Sequence, residues 1–259
     1  MPLTVRGQGA VDGTTVVLRM TETEQEFVFE GVSERPVPSI LRDFSAPVKL
    51  KTDVTEEDLI FLMGNDSDPF NRFEALQTLS RDMQLRLLAK YQAGEAMEMD
   101  DKVLGAMRNV FVDAMAPGAD VAFFACMLSL PGPAELSEMV DVIDPMAIRD
   151  VCKFVKKSLA TTFRSQLESI LAANTEPAFS LETESRGKRS LKNLVLSYLS
   201  ALEEDSVAEE LLSRYRVADN MTDSVAALGA LNSWDNPQRE VGLSEFYDEW
   251  KSDSLSLLK

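Results

Sequence analysis

RPVPSILRDFSAPVKL, residues 35–50, is the stretch on which the fold turns. Pro36, Pro38 and Pro47 remove three backbone donors and push the residues before them into extended conformations. Ile40, Leu41, Phe44 and Val48 place apolar anchors between those breaks. A free linker is polar or rich in glycine and serine. This segment is neither, and it reads as an ordered seam packed between a β-part and an α-part.

Upstream of the seam, TTVVLR (14–19) and QEFVFE (25–30) are short, β-branched or aromatic, and separated by a polar TETE stretch. That pattern predicts an antiparallel hairpin, with residues 37–50 adding extended pieces. Two or three strands alone leave edges unpaired and do not make a stable sandwich. The β-part, residues 1–50, is therefore expected to be a truncated β-sandwich: its last strands and the proline-rich seam.

Downstream the period changes to three and four. Thr55 with Asp58 has the form of a capping box opening a helix through Met63. Asp68-Pro69, Asp144-Pro145 and Asn236-Pro237 each set a cap residue before a first-position proline. The first of these opens a stripe of Phe70, Phe73, Leu76, Leu79, Met83 and Leu87. Asp100 opens another, with Val103, Met107, Val110, Phe111 and Ala114. Leu136, Met139, Val140 and Ile143 follow the Pro-Gly-Pro break at 131–133. Ile148, Val151, Val155, Leu159, Phe163, Leu167 and Ile170 predict one long helix. After a polar loop over 174–187, Leu191, Leu194, Val195, Tyr198, Leu199 and Leu202 form the cleanest stripe. Val207, Leu211 and Tyr215 follow, then Val225 and Leu228 behind Thr222, and finally Leu243, Phe246, Tyr247 and Trp250. Openings near Thr55, Asp100, Asp144, Gly187 and Thr222 recur at roughly 35–45 residues, the spacing of HEAT or armadillo helical pairs. The expected class is mainly α: a partial β-sandwich followed by an α-solenoid over residues 51–259.

At 259 residues and 45% apolar composition, the chain has enough material for a sizeable core. Its net charge is −17; residues 1–50 hold five basic and seven acidic residues, so the helical part carries nearly all of the excess. Such a surface repels phosphate backbones, so no nucleic-acid partner is expected. The longest wholly apolar run, residues 121–128, is far short of a membrane span, and the first residues lack a signal peptide's apolar core. Asn65-Asp66-Ser67 and Asn220-Met221-Thr222 match the glycosylation acceptor pattern by chance, and a cytoplasmic location is expected. Cys126 and Cys152 sit in apolar helical patterns and read as buried reduced thiols.

Residues 35–50, then 65–81 (NDSDPFNRFEALQTLSR), 220–231 (NMTDSVAALGAL) and 246–251 (FYDEWK), resemble, in this order, segments of the aminopeptidase N family. Those are zinc metallopeptidases of the gluzincin type that release N-terminal residues, alanine among them, from peptides. The resemblance implies a region that follows the catalytic domain, holding the tail of a β-sandwich and the first part of the family's C-terminal helical domain. It implies as partner the parent's catalytic domain, with zinc bound there and peptide substrates met only through the parent. The family continues beyond Trp250 with more helices, whereas this sequence stops at Lys259.

The family's chemistry needs two histidines and a glutamate on zinc, two of the ligands and the general base coming from an HExxH helix. This sequence contains no histidine, so no zinc-peptidase site is expected in it, nor any other catalytic, cofactor or metal residue. GAMRN (105–109) resembles the family's GAMEN motif, but Arg108 stands where a glutamate grips the substrate's amine, and Met107 belongs to an apolar stripe. Asp66-Ser67-Asp68 lacks the glycine and distal glutamate of a calcium loop, and RGKRSLK (186–192) lacks the glycine of a phosphate loop. Without histidine the serines have no base for a triad. Lys153, Lys156 and Lys157 read as an exposed helix face. The alternative to a non-catalytic aminopeptidase region is a stand-alone helical-repeat scaffold that binds protein partners.

Overall fold

Eleven α-helices account for most of the described chain, and all but the three that begin at Arg164, Thr183 and Asp205 open where a side chain or a proline resolves unpaired N–H groups of the first turn. The computed structural model describes residues 4–6, 9–10 and 16–255, which fall into two units, Met1–Ile40 and Leu41–Lys259.

In the first unit, β1 (Thr4–Val5), β2 (Gly9–Ala10) and β3 (Phe29–Glu30) form an antiparallel sheet of order β2-β1-β3. Thr4 pairs with Glu30, Val5 with Phe29, and the ladder extends through Arg6 N–H to the Val28 carbonyl at 3.0 Å. The expected hairpin between 14–19 and 25–30 is corrected: residues 16–19 form no strand, and Phe29–Glu30 pairs with β1 instead. Thr14 and Thr15 lie outside the described residues. Sequence alternation finds extended segments but not their partners, since the pairing is set by tertiary contacts.

The second unit opens with the seam's last part. A 3₁₀ turn, Arg42–Phe44, has Leu41, Asp43 and Phe44 in the left-handed region, a conformation costly for residues with a Cβ. Three hydrogen bonds and one ring contact hold it. The Arg42 guanidinium donates to Asp66 Oδ1 at 2.6 Å and Ser67 Oγ at 2.7 Å, and Asp43 N–H donates to Asp68 Oδ2 at 2.6 Å. Phe44 meets Phe70 edge-on with centroids 5.2 Å apart. The expected apolar anchors Ile40, Phe44 and Val48 are nevertheless exposed, a further correction. What orders this part of the seam is mainly polar, an ion pair and hydrogen bonds, with the Phe44–Phe70 contact beside them.

The helices then follow as α1 (Glu56–Asn65), α2 (Pro69–Gln92), α3 (Asp101–Ala114), α4 (Val121–Met127), α5 (Pro133–Ser137) and α6 (Pro145–Thr162). After these come α7 (Arg164–Ala173), α8 (Thr183–Leu199), α9 (Asp205–Val217), α10 (Met221–Leu231) and α11 (Pro237–Trp250). The capping box at Thr55 is present: Thr55 Oγ1 accepts from Asp58 N–H, and Asp58 returns the contact to Thr55 N–H. Asp68, Asp144 and Asn236 cap α2, α6 and α11 ahead of their prolines. Asn220, not Thr222, caps α10, and its amide is engaged by Asp219 and Asp223.

Neighbouring helices pack in pairs, α1 on α2 and α9 on α10. A continuous core runs from Met63 through Phe111, Val155 and Leu191 to Leu231. Three boundaries depart from the periodic reading. The predicted long helix breaks at Phe163, whose φ and ψ are −114° and 24°, into α6 and α7. The polar loop ends early, at Glu182, so Gly187 lies inside α8. There an added Cβ would stand 3.1 Å from Val121 Cγ2 and 3.2 Å from the Ala122 backbone nitrogen, so glycine permits α8 to rest on the start of α4. Helix α5 is only five residues, which leaves Met139 and Ile143 exposed beyond it. Tyr247 is exposed on α11.

A lysine-lined cleft as candidate functional site

Helix α6 buries Ile148, Val151, Val155 and Leu159 on one side and turns Asp150, Lys153, Phe154 and Lys157 to another, at steps of three and four. Facing that side is the 3₁₀ turn Ser200–Leu202, closed by Glu203 in the left-handed region, with Ser233 following α10. Between them lies a cleft of about 290 Å³ lined by these residues together with Lys156 and Ala201.

Its polar groups divide into committed and uncommitted ones. Asp150 accepts from Arg149 at 2.6 Å and from the Tyr91 hydroxyl at 2.9 Å. Those bonds, the Arg149 contact foremost, hold its carboxyl below the usual aspartate range. Lys157 Nζ is 2.9 Å from Glu203 Oε2. Ser200 Oγ donates to the Ser197 carbonyl at 2.9 Å and Ser233 Oγ to the Ala230 carbonyl at 2.7 Å, with the two hydroxyl oxygens 3.2 Å apart.

Lys156 differs from its neighbours. It is half-buried where Lys153 and Lys157 are exposed, and among the described residues it has no hydrogen bond or ion pair. Burial pushes its ammonium below the ordinary lysine range, opposed only by the nearby Cys152 thiol, which burial pushes up. The expected exposed lysine face is thus corrected for Lys156. The expectation of two buried thiols is corrected as well: Cys126 is exposed, and Cys152 is half-buried with the Gln84 amide 3.7 Å from its sulfur. In sequence the three lysines look alike; only the packing of α6 on the 200–203 turn separates them.

The other motifs have structural occupations. In GAMRN, Ala106 and Met107 are core residues of α3, and the Arg108 guanidinium lies 5.3 Å from the Phe163 ring centroid. Asp66 and Asp68 are filled by the protein's own donors, the first by Arg42 and Asp68 N–H, the second by the N–H groups of Phe70, Asn71 and Asp43. Within 186–192, Lys188 bridges to Glu184 at 2.7 Å and Lys192 to Asp223 at 2.7 Å, both from helix α8. No group of three or more potential metal ligands occurs among the described residues, and no helix of theirs is long and apolar enough to cross a membrane.

Helical pairs that follow a small β-unit in the sequence define a helical-repeat protein of the armadillo type. Residues 56–259 match the family model described as "Domain of unknown function (DUF3458_C) ARM repeats", and the chain belongs to that family. Residues 2–53 match the model "Domain of unknown function (DUF3458) Ig-like fold". Among curated proteins, the chain is 36% identical to aminopeptidase N of Escherichia coli K12 over 94% of its length and 28% of that protein's. It is 31% identical to aminopeptidase N of Caulobacter vibrioides over 97% of its length, again 28% of the relative's. The aminopeptidase N of Haemophilus influenzae matches at 30%, over 94% of this chain and 27% of the relative. The chain therefore spans less than a third of these relatives. The crystal structure of Legionella pneumophila aminopeptidase A in complex with aspartic acid superposes with a TM-score of 0.76 at 23% identity, covering 99% of this chain and 31% of that one. That likeness shows the shared fold.

Proposed function

We propose that this chain is the non-catalytic Ig-like and helical region of a zinc-dependent alanyl aminopeptidase. In this reading the helices pack against a catalytic domain, enclose the cavity in which peptides lose their N-terminal residues, and work in the cytoplasm. The observation that carries it is the likeness to aminopeptidase N along 94% of the chain, at 36% identity, within 28% of that protein's length. The absence of histidine from the sequence supports the same division of labour, because the zinc and its general base then belong to the partner domain. Peptides reach the site through the parent, and this region limits their access.

The DNA preceding the codon for Met1 tests the reading. An in-frame stretch encoding an HExxH helix is the expected result. A promoter and ribosome-binding site immediately upstream would overturn it in favour of a free-standing scaffold.

A further inference from the structure

The proposal concerns the cleft between α6 and the 200–203 turn. We infer that this cleft binds a small aliphatic monocarboxylate, with Lys156 as the principal contact and Lys153 at the rim.

Three observations combine. The first is an imbalance of charge: three lysines line the cleft against two carboxylates, in a chain of net charge −17. Both carboxylates are already engaged, Asp150 by Arg149 and Tyr91 and Glu203 by Lys157. The second is Lys156 itself. A half-buried ammonium with no partner among the described residues carries a desolvation cost that an anion would offset. The third is the wall. Phe154, Ala201 and the lysine stems give it an apolar character suited to a hydrocarbon body, and about 290 Å³ lies at the small end of ligand sites.

The same features select among anions. Phosphate carries more charge and a tightly held hydration shell, both unfavourable beside the flanking Asp150 and Glu203 and against Phe154. A monocarboxylate brings one charge and leaves the remainder of the molecule for the apolar wall. Ser200 and Ser233 are auxiliary, since each must turn its proton from a backbone carbonyl to donate to the ligand.

The test is calorimetric titration of the full chain with isovalerate, isovaleramide and inorganic phosphate, at fixed ionic strength. Saturable isovalerate binding is expected with Kd on the order of 1–10 mM. The amide and phosphate should each bind about tenfold more weakly or less. Lys156→Met keeps the stem and should weaken isovalerate by about tenfold or more, while Lys156→Arg retains it. Unchanged thermal melting of both variants separates lost binding from lost folding. Equal binding of acid and amide, phosphate binding as tight as isovalerate, or an unaffected Lys156→Met variant would each overturn the proposal. None of these outcomes bears on the aminopeptidase reading, which rests on relatives and not on this cleft.

Discussion

Phe111→Ala should lower the unfolding free energy by about 3–5 kcal/mol, the range for emptying a large aromatic site in a well-packed core. Phe111 is wholly buried on α3. Its ring lies 4.8 Å from that of Phe163 at the α6–α7 break, and 6.4 Å from that of Tyr198 on α8, met edge-on. Tyr198 in turn donates its hydroxyl to the Leu128 carbonyl at 2.6 Å, and burial holds that hydroxyl in its neutral form. One cluster therefore joins α3, the α6–α7 junction, α8 and the end of α4. Collapse around the void is hindered because Tyr198 is tied to Leu128 on its far side, which places the loss in the upper part of that range. Urea unfolding followed by circular dichroism at 222 nm checks it, as a lower midpoint at unchanged slope. A loss under about 1 kcal/mol would mean that the helical pairs fold independently of this cluster.

The second large effect is electrostatic and carries a pH signature. Asp223, in the first turn of α10, accepts from Lys192 at 2.7 Å and from the side-chain amides of Asn193 and Asn220 at 3.0 Å each. Burial alone would raise its pKa, but the hydrogen bonds from Lys192, Asn220 and Asn193 outweigh it and the carboxyl is held below the usual range. The start of a helix also favours a negative charge. Asp223→Ala strands the partly buried Lys192 ammonium and should cost about 2–3 kcal/mol at pH 7. Because the folded-state value is depressed, the ionised carboxylate's contribution is fully present above the unfolded value of about 4 and disappears as pH falls through the folded one. The stability gap between wild type and Asp223→Ala should therefore stay level from pH 7 to 5 and narrow below about pH 4. A gap that stays constant or widens down to pH 2.5 would contradict this assignment.

What the sequence disclosed and what it hid divide along physical lines. The caps at Thr55, Asp68, Asp100, Asp144 and Asn236 were legible because a cap is a local bargain between one side chain and the N–H groups two or three residues on. The core stripes of α2, α3 and α8 were legible for a similar reason, since their period repeats over several turns. Phe163 was not, because one buried residue serves both α6 and α7 and the apolar period runs through the break without a glycine or proline. Gly187 misled in the other direction: a glycine among polar residues reads as loop, yet α8 needs it to approach Val121 and Ala122. The partner of Phe29–Glu30 and the half-burial of Lys156 depend on segments distant in sequence, and no periodicity reports them.

The central proposal is that this chain supplies shape and enclosure to a peptidase whose cutting groups lie on another part of the protein. The most direct measurement is hydrolysis of alanyl-p-nitroanilide by the pure 259-residue chain, with and without added zinc. The account predicts no release of nitroaniline above the buffer rate in either case. Zinc-dependent turnover that co-purifies with this chain would contradict it.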